Sequence, residues 1–328
     1  MTLPAQLENL RIPLIGSPLF IISRPELVIA QCKAGIVGCF PALNAREKDG
    51  QSLEAWLLQI NEELDRHNQE NPDRPAAPFA VNQIVHRSNA RIERDVEICA
   101  KHKVPIWVTS LGAREDVYQA AQSSGAIVLH DVINNRFAKK AIEKGADGLV
   151  AVAAGAGGHA GVQSPLALIQ EIRSWFNGPL YLSGAIATGD SLLAALAMGA
   201  DGGYAGSAFI ATKEANAAAG YKQMIATHGA EDIVYTNLFT GVHGNYLKPS
   251  IAAAGMDPDA LAHSDPVKMN FGGDREKPKS WKDIWGAGQG IGAIEDVVST
   301  AELVDRLERE FHAAKKRLDQ LSAFGKIR

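Results

Sequence analysis

One unit recurs along this chain and decides its class: an apolar strand, a loop, an Ala-rich helix, and a small-residue turn into the next strand. The turns read Lys33-Ala34-Gly35-Ile36-Val37-Gly38, Ser124-Gly125-Ala126-Ile127-Val128-Leu129, Lys144-Gly145-Ala146-Asp147-Gly148-Leu149 and Met198-Gly199-Ala200-Asp201-Gly202-Gly203. In each, glycine falls where a helix should end, because left-handed backbone there costs least without a Cβ. Strands are predicted at Ile12 to Gly16, Ile36 to Phe40, Phe79 to Asn82 and Ile106 to Thr109, then at Ala126 to His130, Gly148 to Val152, Leu180 to Ser183 and Gly202 to Ala205. Helical patterns separate them, as at Ser52 to His67, Asn89 to Lys101, Asn134 to Lys144, Pro165 to Trp175 and Asp190 to Met198. Strands alternating with helices imply parallel pairing and right-handed crossovers. Eight is the number that closes a (β/α)8 barrel. The expected fold is therefore α/β, a TIM barrel. An open doubly wound sheet is the competitor, but it usually carries an early GxGxxG turn, which is absent here.

The regularity breaks after Thr212. The barrel is expected to comprise residues 1–212 and 285–328, with 213–284 as a lid-like insertion covering the barrel mouth. A lid suits cofactor chemistry that must exclude water. Within it, Phe239 to Pro249 reads as a structured loop, neither strand nor helix. The chain closes on an amphipathic helix, Thr300 to Leu321, whose Lys315-Lys316-Arg317 stretch reads as a solvated face at a helix C-terminus.

Charge and cysteine content exclude several classes. Lys plus Arg is 33 against 37 for Asp plus Glu, a net charge of -4, and no basic block precedes the tail, which argues against nucleic acid as a partner. Three cysteines without a CxxC pair form no disulfide framework. Cys32 and Cys99 fall in helices and Cys39 in a strand, so buried thiols are expected. No metal site is indicated. No apolar run reaches the roughly 18 residues that span a bilayer, and no secretory signal is visible. The expected location is cytoplasmic, with no membrane partner, and the oligomeric state is not readable.

A glycine-dense loop, Gly155-Ala156-Gly157-Gly158-His159-Ala160-Gly161, follows the apolar strand Gly148 to Val152. Such glycines let a backbone approach a flat or charged ligand. His159 is the group in the loop able to move protons near neutral pH. The plainer reading is a solvent loop with an incidental histidine. On a barrel, catalytic groups lie at the C-terminal strand ends, and phosphate often sits after strands 7 and 8. Ser183-Gly184-Ala185 and Gly206-Ser207 end those strands and can both offer backbone N–H groups to a phosphorylated ligand. The competing reading of these loops is a pair of tight βα turns that need glycine for sterics alone.

With those residues in view, the chain resembles the nitronate monooxygenase (2-nitropropane dioxygenase) family of FMN-dependent barrels, which also includes NAD(P)H:quinone reductases and a flavin enoyl-acyl-carrier-protein reductase. The resemblance covers nearly the whole chain. It rests on Pro13-Leu14-Ile15-Gly16-Ser17-Pro18-Leu19, Asn82, Gly157-Gly158-His159-Ala160-Gly161, Ser183-Gly184-Ala185, Gly199-Ala200-Asp201-Gly202, Gly206-Ser207-Ala208-Phe209 and Trp285-Gly286-Ala287-Gly288-Gln289. It implies FMN as cofactor. Ser17, Pro18 and Leu19 would lie against the isoalloxazine ring, Asn82 would hydrogen-bond it, and Gly157 and Gly158 would contact it through backbone. Ser183, Gly184 and Ala185 with Gly206 and Ser207 would hold the phosphate, and Gln289 would approach the ring. His159 would bind substrate or transfer a proton. One departure stands out: many members carry a lysine after the histidine ending strand 5, and here that pair is His130-Asp131. The resemblance implies that His130 or Lys248 replaces the missing cation, or that the flavin's electronic environment differs.

Three activities compete: oxidation of alkyl nitronates with O2, NAD(P)H-dependent reduction of a quinone or enone, and a flavin-free phosphate-binding barrel lyase. The last would need a Schiff-base lysine at a strand end, and none appears among the predicted strands.

Overall fold

The computed structural model describes residues 3–47, 50–261 and 283–320. Its barrel strands are β1 (Leu14–Gly16), β2 (Gly38–Pro41), β3 (Phe79–Ile84), β4 (Ile106–Ser110), β5 (Ile127–Val132) and β6 (Gly148–Val152). A short β7 (Gly158–His159) lies outside the barrel, which β8 (Leu180–Ser183) and β9 (Gly202–Ala205) complete. These eight run parallel in the order β1-β9-β8-β6-β5-β4-β3-β2. The circle closes through an Ile15–Val37 bridge, with Gly16 N–H donating to the Val37 carbonyl at 2.8 Å and Val37 N–H to Leu14 at 3.2 Å. The (β/α)8 expectation holds.

Helices α1 (Pro25–Lys33), α2 (Leu53–Glu70), α3 (Ile92–Lys101), α4 (Glu115–Ser123), α5 (Asn135–Glu143), α6 (Pro165–Arg173) and α7 (Gly189–Ala197) form the outer layer. A four-residue turn of helix, α8 (Ser207–Ile210), follows β9. Local chemistry sets the helix starts: Ser52 caps α2, Asn134 caps α5, and Thr188 with Ser191 forms a capping box on α7. The repeated glycines all adopt positive φ, from 89° at Gly35 and Gly125 to 98° at Gly145 and 107° at Gly199. The aspartates in two of these turns act as latches. Asp147 accepts the Val128 N–H and Asp201 the Leu180 N–H, both at 2.8 Å, so each ties its turn to the start of a neighbouring strand.

Two apolar layers follow from strand alternation. Ile15, Val37, Cys39, Ala80, Ile106, Val108, Ile127, Leu129, Val150, Val152, Tyr181 and Tyr204 fill the barrel interior, and Leu7 plugs its N-terminal end. The outward strand residues pack under the helices. All three cysteines are buried and unbridged.

After α8 come α9 (Ala219–Thr227), β10 (Ile233–Thr236), β11 (Gly244–Leu247) and α10 (Lys248–Ala253). The loop expected over Phe239 to Pro249 therefore holds a strand and the first turn of a helix. Its cause is non-local pairing: β11 bonds antiparallel to β10 on one side and to β7 on the other. The last helix, α11 (Thr300–Gln320), packs on α1 and α7, while Leu321, where the sequence ended it, lies outside the described residues. Part of the expected insertion, 262–282, also lies outside them. No helix among the described residues is long and apolar enough to cross a membrane, and no cluster of metal-ligating side chains occurs among them.

Candidate active site

The alternation that fills the barrel also selects its rim. One step of two residues beyond the interior apolar positions reaches Ser17 from Ile15, Asn82 from Ala80, Ser183 from Tyr181 and Gly206 from Tyr204. The same step reaches Ser110 from Val108 and Asp131 from Leu129. Thus four of the residues expected at the site share one inward-facing tier at the C-terminal end of the barrel, with Ser110, which was not expected there, and Asp131, which stands where many family members carry a lysine.

Loops close over that tier. Ser17 and Leu19 flank Gly206, where an added Cβ would lie 3.3 Å from Leu19 Cδ2 and 3.4 Å from Ser17 Cβ; Pro18 lies between them in the chain. Ser207 Oγ accepts the Gly288 N–H at 2.8 Å, and the Gln289 N–H donates to Gly155 at 2.9 Å. A Cβ at Gly157 would come within 2.8 Å of Gly288 N, so glycine is required for this approach. Gln289 is thereby anchored through its main chain, with its side chain exposed.

Gly184 has φ +141° and Ala185 +56°, two successive residues of positive φ. Left-handed backbone at an alanine costs on the order of 1 kcal/mol and tends to mark function. Among the described residues, the N–H groups of Gly184, Ala185, Gly206 and Ser207 donate to no backbone carbonyl. Such successive free N–H groups form a concavity that suits an anion.

His159 sits on β7, stitched to β11 through Gly158–Asn245 and His159–Gly244 pairing. Its Nε2 lies 2.9 Å from Thr240 Oγ1. Thr240 Oγ1 in turn donates to the Val242 carbonyl at 3.0 Å and receives the Val242 N–H at 3.3 Å, which anchors it under the imidazole. Burial pushes the imidazole pKa down to about 4. His159 is neutral at pH 7.

His130 and Lys248 do not supply a cation to the rim. His130 points outward, where Nδ1 lies 2.7 Å from Thr109 Oγ1 and 2.9 Å from the Tyr118 hydroxyl of α4, and burial lowers its pKa to about 4. Lys248 Nζ lies 3.5 Å from Asp259. Asp131 instead faces inward and accepts from Ser110 Oγ at 2.6 Å. Desolvation lifts its carboxyl to about 7, against a smaller opposing effect from the Ser110 hydroxyl.

A barrel with such a rim admits many chemistries. The nitronate monooxygenase family model matches residues 5–310, the barrel and rim together. The chain belongs to the nitronate monooxygenase family. It is, with that family, an oxidoreductase. Among relatives, it is 24% identical to a nitronate monooxygenase of Paraburkholderia phytofirmans, covering 95% of this chain and 94% of the other. It is 20% identical to a Rhodococcus jostii enzyme named as a hydroxy-methyl-oxo-octahydroindene-carboxyl-CoA dehydrogenase, over 97% of both chains. A solved nitroalkane oxidase from Streptomyces ansochromogenes superposes with a TM-score of 0.79 at 21% identity, covering 96% of this chain and all of that one.

Proposed function

We propose that this chain is an FMN-dependent nitronate monooxygenase that oxidises small alkyl nitronates with O2. The observation that carries the substrate reading is His159, a half-buried imidazole at the rim that desolvation keeps uncharged. A base whose conjugate acid has a pKa of about 4 is poorly matched to pulling a proton from carbon at pH 7. A neutral nitroalkane would need that step. A nitronate arrives already deprotonated and asks only for orientation and hydrogen bonding, which a fixed neutral imidazole supplies.

The residues present also fit the cofactor. The free N–H groups at Gly184, Ala185, Gly206 and Ser207 would take the FMN phosphate, and a terminal phosphate monoester suits a concavity of backbone donors. Ser17, Pro18, Leu19 and Asn82, with Gly157 and Gly158, would border the ring, and Gln289 would close the loop beside it. FMN, when bound, supplies the electron exchange between nitronate and O2, while the protein supplies orientation and electrostatics. His159, held by Thr240, would keep the nitronate over the rim. The β10–β11 ribbon, paired to the His159 strand, would exclude water from it.

The test is direct. Purified protein should be yellow and release FMN, not FAD, on denaturation. It should consume O2 with propionate-3-nitronate faster than it oxidises NADPH with a quinone. A colourless protein that cannot be reconstituted with FMN, or a preference for NADPH and quinone, would overturn the reading.

A further inference from the structure

A chain of side chains crosses the inner rim from β3 to β5. Asn82 Nδ2 donates to the Val108 carbonyl at 3.1 Å and to Ser110 Oγ at 2.8 Å, and Ser110 Oγ donates to Asp131 Oδ2 at 2.6 Å. The first contact fixes which end of the Asn82 amide carries its hydrogens. With its lone pair taken by Asn82, the Ser110 hydroxyl commits its proton to Oδ2. A proton carried by the Asp131 carboxyl itself must then sit on Oδ1. That oxygen is shut from solvent and has no hydrogen-bond partner among the described residues. A buried, unmet carboxyl oxygen is costly unless a ligand completes it.

Around the barrel, β3 and β4 stand across from β8 and β9, which carry the free N–H groups of the anion site, and β5 adjoins β4 with β6 between it and β8. A ligand held by its phosphate at Gly184 and Ser207 and lying over the mouth reaches toward the Asn82–Ser110–Asp131 chain. We propose that Asp131 is a proton-carrying member of the flavin site, its Oδ1 turned to the bound ring, and that its ionisation sets how readily that ring takes up negative charge. This rests on the FMN reading above.

Titratable groups sharing the interior are Cys39 on β2, Tyr181 on β8 and Tyr204 on β9, all kept neutral by burial, with neutral His159 on the loop after β6. Among the described residues no Lys or Arg pairs with the Asp131 carboxyl. Burial without a cation lifts it to about 7, so it changes charge within the working range of pH. Protonated, it offers a hydrogen bond to the ring; ionised, it opposes charge arriving there.

The experiment measures the midpoint potential of the FMN-loaded protein and its Asp131→Asn variant by dye-linked reductive titration from pH 5.5 to 8.5. The two curves should coincide at the acid end and separate above pH 7, the native protein becoming harder to reduce. A tenfold lower reduction equilibrium constant corresponds to about 30 mV for a two-electron couple. Ser110→Ala removes a hydrogen bond that favours the ionised carboxylate, so the bend in the native curve should move to higher pH. This second variant keeps the inference testable if Asp131→Asn fails to fold. Parallel curves in Asp131→Asn, or an unmoved bend in Ser110→Ala, would overturn the role of Asp131 while leaving FMN binding intact. Native protein that takes up no FMN would overturn the parent reading instead.

Discussion

His159 and Thr240 are 81 residues apart in sequence, yet the imidazole Nε2 and the hydroxyl oxygen lie 2.9 Å from each other. The contact exists because β11 pairs with both β10 and β7, which brings the 236–244 turn over the His159 strand. It holds the imidazole ring through Nε2. Replacing Thr240 with Val should free the ring to rotate. We expect kcat/KM for nitronate to fall about tenfold, the scale of one net hydrogen bond, with FMN content unchanged. Thr240→Ser should restore the native rate.

His159→Ala should lower turnover by about 10²–10⁴-fold if the residue acts at the reacting centre. Because its pKa lies near 4, it remains neutral throughout the assay range and should contribute no inflexion near pH 6.5. Any inflexion near pH 7 belongs to Asp131 and should vanish in Asp131→Asn. A pH–rate profile settles this: an inflexion abolished by His159→Asn would falsify the neutral-imidazole reading.

Acid stability follows from two desolvated histidines. His130 and His159 have folded pKa values lowered to about 4, below the 6.5 of an exposed imidazole. Between those limits the unfolded chain binds more protons, so stability is full above pH 6.5 and falls as the pH drops toward 4. Asp131 works the other way, since its folded pKa is raised to about 7 and its contribution is present at low pH and lost as the pH rises from about 4 to 7. In urea unfolding, Asp131→Asn should therefore gain stability relative to the native chain between pH 4 and 7, by an amount on the order of a few kcal/mol.

Ala185 offers a test of backbone strain. At φ +56° a Cβ is unfavourable, so Ala185→Gly should raise stability by about 0.5–1 kcal/mol. A higher thermal midpoint with FMN binding retained is the expected result. Ala185→Val, branched at Cβ, should lower both.

Gly189 meets α11 without room for a side chain. A Cβ there would run into the backbone of Leu307 and Phe311, and its N–H donates to Glu310 at 2.8 Å. Backbone cannot move aside as a side chain can, so Gly189→Ala should cost about 1–3 kcal/mol. Thermal unfolding would measure it.

The barrel was legible because its grammar is local. Glycine at helix ends and period-two burial both act within a few residues, and they located eight strands. Ser17 and Asn82 came from the resemblance to the family and Ser183 and Gly206 from their place at strand ends; the period-two alternation of the structure is what sets all four on the inner face. Ser110 escaped because strand 4 was ended at Thr109, one residue short; Asp131 was marked only as standing where many family members carry a lysine, because strand 5 was ended at His130, two residues short, and its inward direction went unread. With the ends at Ser110 and Val132, the same alternation finds both. The strand Gly244–Leu247 was missed for another reason. Its partners are β10 and the two-residue Gly158–His159 segment, and no local pattern announces pairing across such a separation. His130 looked like a replacement for a cation because parity was not applied to it; alternation sends it outward to Tyr118.

The barrel's seam carries a consequence for how the protein is made. β1 joins β2 through a single bridge but pairs along its length with β9, the last barrel strand to leave the ribosome. The first strand therefore waits, with its apolar residues unhoused, until residue 205 has emerged. Ser17, immediately after that strand, takes its place only when Ala205 receives its N–H at 2.8 Å. A nascent chain shorter than this has no complete rim, so nothing held there is captured until late in biosynthesis, and release of a truncated chain would leave an open sheet with two bare edges.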